Sequence, residues 1–110
     1  VFGKSVASFQ NTKFVLAECA TETEAARLFA DRALDLHDAG ELTIADAAKA
    51  KLFCTEVAGR VIDKCLQLHG GYGYITEYPI ARLYADTRVS RIYGGTSEVM
   101  KIVIAKSLGL

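Results

Sequence analysis

The chain has no excess of either charge: 13 Lys and Arg stand against 13 Asp and Glu, and no basic cluster breaks the balance. That argues against nucleic-acid binding or membrane-surface attachment driven by net electrostatics. Cysteine is scarce as well. Cys19, Cys54 and Cys65 lie inside helical patterns with no C-x-x-C spacing, so they point to packing residues in a reducing compartment rather than a zinc site or disulfide framework. Although 51% of the residues are hydrophobic, charged residues recur every few positions, and no apolar run approaches the roughly 20 residues a bilayer requires. No signal sequence is recognisable. The first residue is Val1 and the only methionine is Met100, so a piece of a longer protein is expected. At 110 residues the chain is about one domain.

Most of what is present is helical. From about Phe9 to Ala39, the residues Phe14, Ala17, Cys19, Ala20, Leu28, Phe29, Ala33 and Leu36 recur mostly at helical intervals, predicting a long amphipathic helix with Ser8 as N-cap and Asp38-Ala39-Gly40 as its end. Thr43, with Asp46 three residues on, has the form of a capping box for a second helix that reaches about His69. Its apolar face runs through Ala47, Ala50, Leu52, Cys54, Val57, Ala58, Val61, Ile62, Cys65 and Leu68. The short link makes the two helices antiparallel neighbours. Pro79, the only proline, suits the first position of a third helix to about Arg88. A last helix is expected from Thr96 or Ser97 to about Leu108, burying Val99, Ile102, Val103 and Ala105, with Gly109 as stop. Ion pairs among Asp86, Arg88 and Arg91 are expected to fix the turn toward Tyr93. The fold class is therefore all-α, an antiparallel four-helix-bundle-like domain.

Chemistry concentrates between Gln67 and Met100, in QLHGGYGYITEYPIARLYADTRVSRIYGGTSEVM. Two glycine breaks stand there, Gly70, Gly71 and Gly73 after the second helix, and Gly94 and Gly95 directly before the fourth. A helix start behind glycines offers unpaired N–H groups and a positive dipole end, and glycine admits a ligand against the backbone. Glycine is also the ordinary helix terminator, so Gly70 by itself is sufficiently explained as a C-cap. The G-G-x-G string follows a helix and not a strand, so it is no dinucleotide fingerprint of the Rossmann kind. His69 has a sufficient structural role beside the negative end of the helix dipole.

GGYGYITEYP followed by RIYGGTSEVMKIVIAKSLG, with FGK and FQNTKFVLAE ahead of them, resembles the C-terminal region of the flavin-dependent acyl-CoA dehydrogenases from Phe2 to the end. The resemblance implies an FAD cofactor, an acyl-CoA substrate, an electron-transfer flavoprotein as acceptor and a homo-oligomer, dimer or tetramer. It makes residues 1–110 the C-terminal helical domain, with the bundle's first helix lying upstream. It implies that Gln10 reaches the flavin pyrophosphate of a neighbouring subunit, and that Gln67, Gly70 and Gly71 belong to the segment that meets the adenosine half of another subunit's flavin. Thr96 and Glu98 would lie near the cofactor, and Tyr93, Gly94 and Gly95 at the substrate. Phe2 either stacks near the flavin or serves as a hydrophobic staple for the following helix.

In these enzymes a carboxylate removes the α proton of the thioester while hydride leaves the β carbon. Such a base needs a raised pKa, and the thioester oxygen needs donors. Many members resemble this region but carry glutamate where Tyr93-Gly94-Gly95-Thr96 has Gly94. Three explanations stay open. Either the base comes from an upstream helix, as in the long-chain and isovaleryl branches, which is the explanation preferred here; or the parent is a non-dehydrogenase relative, or an inactive helical interaction subunit. Glu98, the only nearby carboxylate, is explained by its place in a first helical turn. The Gly94 N–H remains available to the thioester oxygen, and its missing side chain leaves room for a bulkier acyl group. The fragment alone is expected to be inactive. The resemblance places the parent in the bacterial cytoplasm or the mitochondrial matrix, the former preferred.

Overall fold

The structure, a computed structural model, describes residues 9–110. It is all-α in these residues, with α1 (Gln10–Asp38), α2 (Ile44–His69), α3 (Pro79–Arg88) and α4 (Ser97–Ser107), plus two short 3-10 segments, Gly70–Tyr74 and Val89–Arg91. The expected Ser8 cap lies outside the described residues. At the start of α2, Thr43 Oγ1 accepts from the Asp46 N–H at 3.0 Å and Asp46 Oδ2 accepts from the Thr43 N–H at 3.2 Å. The predicted capping box is thus present in both directions. These bonds from Thr43 hold the Asp46 carboxyl below its ordinary pKa. Pro79 opens α3 as expected, where its missing N–H costs nothing.

α1 and α2 form an antiparallel hairpin whose register can be followed rung by rung. Glu18 pairs with Lys64 and Glu22 with Arg60, both at 3.7 Å. The Cys54 thiol donates to the Ala26 carbonyl at 3.4 Å, and the Phe29 and Phe53 rings stack with centroids 5.7 Å apart. Burial raises the pKa of the Cys54 and Cys19 thiols. Cys19 is buried and Cys54 and Cys65 half-buried, in keeping with packing roles.

The other face of α2 receives α3 and α4 in succession. Tyr84, Thr87 and Arg88 of α3 line a cleft with Gly59, Arg60, Ile62 and Asp63 of α2, while Lys101 and Ile104 of α4 lie with Lys49, Leu52 and Phe53. Both short helices therefore run antiparallel to α2, α3 along its C-terminal half and α4 along its N-terminal half. The four helices make three rods, with α2 as the axis on which the others pack.

Two expectations about burial are corrected by this arrangement. On α1, Phe14, Ala17, Ala20 and Leu28 are exposed, Phe14 by 58% and Leu28 by 63%, because α1 packs mainly on α2, which covers only part of its apolar surface. On α4, Val99 and Ile102 are exposed, whereas Val103, Ile104 and Met100 are half-buried against α2. The buried apolar side chains among the described residues are few: Cys19, Ala48 and Val57. The predicted cluster of Asp86, Arg88 and Arg91 is also revised, since Arg91 pairs with Glu56 at 3.5 Å, across to α2.

Candidate functional site

The second glycine break is held by a lysine. Lys51 Nζ, from the N-terminal third of α2, donates to the Tyr93 carbonyl at 2.6 Å and also to the Gly95 carbonyl. Between these two anchored carbonyls the chain turns through left-handed backbone at Gly94 (φ 64°) and Gly95 (φ 106°), which residues with a Cβ adopt only under strain. Among the described residues, no backbone or side-chain acceptor takes the N–H of Gly94, Gly95 or Thr96. The Thr96 hydroxyl oxygen caps α4 by accepting from the Val99 N–H at 3.2 Å.

A second tie runs from α4 to α2. Ser97 is buried and its hydroxyl donates to Glu56 Oε1 at 2.6 Å, while Arg91 approaches Glu56 Oε2. The Ser97 bond, and then the charge of Arg91, hold the Glu56 carboxyl below its ordinary pKa against the opposing effect of partial burial. Arg91 lies flat against Gly59, where an added Cβ would stand 3.3 Å from the guanidinium carbon. Glu98, one residue beyond Ser97, is exposed in the first turn of α4. With Thr96, Arg88 and Arg91 it lines a shallow cleft of about 140 Å³.

The first glycine break closes α2. Gly70 adopts φ 61° as the C-cap and donates to the Gln67 carbonyl, and His69 Nδ1 lies 2.7 Å from the Cys65 carbonyl. Gln67, Gly70 and Gly71 are exposed, and a Cβ added at either glycine would meet nothing within 4 Å. Gly73 is different: it is buried against the last turn of α2, and a Cβ there would stand 2.6 Å from the Leu66 carbonyl oxygen. The register that pairs Glu18 with Lys64 carries on to bring Gln10, at the start of α1, to this same end of the hairpin. Phe2 lies outside the described residues.

The site residues thus fall into two groups. Gln10, Gln67, Gly70 and Gly71 gather at the C-terminal end of α2, and Tyr93, Gly94, Gly95, Thr96 and Glu98 gather near its middle. Measured along α2 from Glu56 to Gln67, the groups are about 16 Å apart at 1.5 Å per residue. Lys51 and Glu56, which fix the second group, were not distinguished in the sequence from the other polar residues of α2. Their partners lie more than 40 residues away, beyond the reach of any helical period.

The family model described as "Acyl-CoA dehydrogenase, C-terminal domain" matches residues 1–109, and the chain belongs to that family. A mitochondrial long-chain specific acyl-CoA dehydrogenase of Rattus norvegicus is 47% identical over 97% of this chain and 25% of its own length. A protein of Acetobacterium woodii, the caffeyl-CoA reductase-Etf complex subunit CarC, is 43% identical over 97% of this chain and 28% of its own. The crystal structure of an acyl-CoA dehydrogenase from Geobacillus kaustophilus superposes with a TM-score of 0.96 at 50% identity, covering 100% of this chain and 29% of the other. The chain spans about a quarter of the length of the curated relatives it matches. No helix among the described residues is long and apolar enough to cross a membrane.

Proposed function

We propose that residues 1–110 are the C-terminal FAD-binding and assembly domain of a longer acyl-CoA dehydrogenase that oxidises the α,β bond of an acyl-CoA thioester. The observation that carries this reading is the second glycine hinge: N–H groups at Gly94, Gly95 and Thr96 that meet no acceptor among the described residues, on a loop anchored to α2, in a chain matched throughout by a dehydrogenase domain. The Gly94 N–H donates to the thioester oxygen and stabilises the negative charge that grows there as the α proton leaves. Gly94 has no side chain to take that proton, and Glu98 points from an exposed first turn, so the carboxylate base comes from a helix upstream of Val1. Should the parent lack such a base, the domain is the non-catalytic helical interaction subunit of a related assembly.

FAD fits the residues present. The adenosine edge at Gln67, Gly70 and Gly71 is exposed and free of obstruction, and the first turn of α4 offers backbone donors and a positive dipole end. Bound there, FAD would supply the acceptor for the hydride of the β carbon. The spacing of the two residue groups suits a shared arrangement in which Gln10, Gln67, Gly70 and Gly71 hold a neighbouring subunit's cofactor, while Thr96 and Glu98 orient their own. Homo-oligomerisation is further supported by the exposed apolar stripe on α1. A relative named as part of an Etf complex supports an electron-transfer flavoprotein as the acceptor. Relatives occur in mitochondria and in bacteria, and we favour the bacterial cytoplasm.

Two measurements test the reading. The full-length protein should purify yellow with near-stoichiometric flavin, and a colourless protein that takes up no flavin overturns the proposal. An amide-to-ester replacement that deletes the Gly94 N–H, made by semisynthesis in the full-length protein, should lower turnover by about 10²- to 10³-fold with flavin retained. Unchanged turnover removes Gly94 from the substrate site. Proline would also delete this N–H, but the left-handed φ at Gly94 bars it.

A further inference from the structure

Lys51 reaches from α2 to the backbone of the second glycine hinge. Its ammonium donates to the carbonyls of Tyr93 and Gly95, which belong to two peptide planes with one further peptide, Gly94–Gly95, between them. Both peptides are trans, as are all those among the described residues. In a trans peptide the C=O and N–H point in opposite directions. Drawing the Tyr93 carbonyl toward Lys51 therefore turns the Gly94 N–H away from it, and drawing the Gly95 carbonyl does the same to the Thr96 N–H. Gly94 and Gly95 supply the left-handed backbone that lets both carbonyls converge on one ammonium. Without the lysine, two glycines in succession would leave these planes free to rotate, and the carbonyls rather than the N–H groups could face the ligand.

We propose that Lys51 is a positioning residue for the dehydrogenation: by clamping the Tyr93 and Gly95 carbonyls from behind, it aims the Gly94 N–H at the substrate's thioester oxygen. This rests on the assignment of that N–H as an oxyanion donor. The ammonium behind the loop also polarises the same peptide, which strengthens its N–H as a donor. The lysine thus acts on the transition state through the backbone. Its loss should appear in kcat more than in KM, because the donor matters most when charge develops on the oxygen.

The test uses the full-length, flavin-loaded protein with Lys51→Met and Lys51→Arg. Cinnamoyl-CoA serves as the probe, a conjugated thioester whose absorption moves to the red when donors polarise its carbonyl. Lys51→Met should keep its flavin and bind the probe, lose at least half of the red shift, and lower kcat at least tenfold with KM changed by less than threefold. Lys51→Arg, which restores a cationic donor, should recover most of the shift. If Lys51→Met leaves shift and kcat within twofold of the parent, the proposal is overturned. It is equally overturned if neither Lys51→Met nor the donor-retaining Lys51→Gln can be isolated with flavin, since the lysine then holds the fold and not the donor. The Gly94 ester separates this failure from that of the underlying assignment. If the ester abolishes the shift while Lys51→Met preserves it, only the lysine's role falls; if the ester itself preserves the shift, the assignment of the donor falls with it.

Discussion

Ser97 Oγ donates to Glu56 Oε1 at 2.6 Å, joining the first turn of α4 to the middle of α2 across 41 residues of sequence. Among the described residues this is the one side-chain hydrogen bond from α4 itself to α2, alongside the apolar packing of Val103 and Ile104. A hydrogen bond to an ionised group is worth about 1.5–3 kcal/mol net. Ser97→Ala should lower stability by about that much, and the loss should be local, with the α4 amides exchanging faster than those of α1. Hydrogen exchange that rises uniformly over the chain would show that the bond does not anchor α4 in particular.

The same carboxylate sets a pH dependence. Glu56 has a folded pKa below its ordinary 4.5, so its contribution is complete above that ordinary value and is lost as pH falls through the lowered folded one. Glu56→Gln keeps an acceptor for Ser97 and removes the charge that faces Arg91. The difference in melting temperature between the parent chain and Glu56→Gln should therefore be largest at neutral pH and shrink on acidification below about pH 4.5. A difference that stays constant down to about pH 3 would contradict the assignment.

At the start of α2, the reciprocal bonds of Thr43 and Asp46 satisfy two donors that the helix leaves open. Thr43→Ala deletes one bond directly and loosens the other. Urea unfolding should register a loss of about 1 kcal/mol, within the range of about 0.5–2 kcal/mol seen for N-cap deletions. Thr43→Ser, which keeps the hydroxyl, should stay close to the parent, and an equal loss in both variants would place the cost in the lost methyl.

Helix limits were legible in the sequence because they depend on local chemistry. Thr43 with Asp46, Pro79, and the glycines at 70 and 109 each mark a boundary through bonds made within a few residues. What a side chain meets on another helix was not. Lys51 and Glu56 share the polar side of α2 with residues that merely face water, and only the arrival of the loop before α4 distinguishes them. Apolar periodicity named the stripes of α1 and α4 but not which stripe would be covered. Phe14 and Leu28 fit a core as well as Phe29 does, yet only Phe29 finds a ring on α2. Arg91 was matched to the nearest acidic residue in sequence, while its partner stands on a neighbouring helix.

The uncovered stripe gives a prediction about assembly. Phe14 and Leu28 are 58% and 63% exposed, and at 3.6 residues per turn they lie about four turns apart on nearly the same side of α1. Placing serine at both should leave the α1–α2 hairpin intact, because neither side chain is buried in it, and should remove apolar area available to a second copy. Sedimentation should show the double variant shifted toward smaller species with its helical circular dichroism preserved. No change in mass would move the subunit contact elsewhere.

Gly71 and Gly73 are two residues apart, yet they should answer alanine in opposite ways. At Gly73 a Cβ would stand 2.6 Å from the Leu66 carbonyl oxygen and 3.2 Å from His69 Cβ. A backbone oxygen cannot rotate aside as a flexible side chain can, so the 3-10 segment must move off the end of α2, at a cost of about 1–3 kcal/mol. At Gly71 a Cβ meets nothing within 4 Å, and alanine should change the stability of the flavin-free protein by less than about 0.5 kcal/mol. Its methyl would instead occupy the edge assigned to the adenosine of a neighbouring subunit's FAD. In the full-length protein, Gly71→Ala should lose flavin faster on dilution while its flavin-free form melts with the parent. Equal destabilisation of the flavin-free protein by both substitutions would mean that the edge is closed in the assembled protein, and undiminished flavin retention in Gly71→Ala would move the adenosine contact away from this turn.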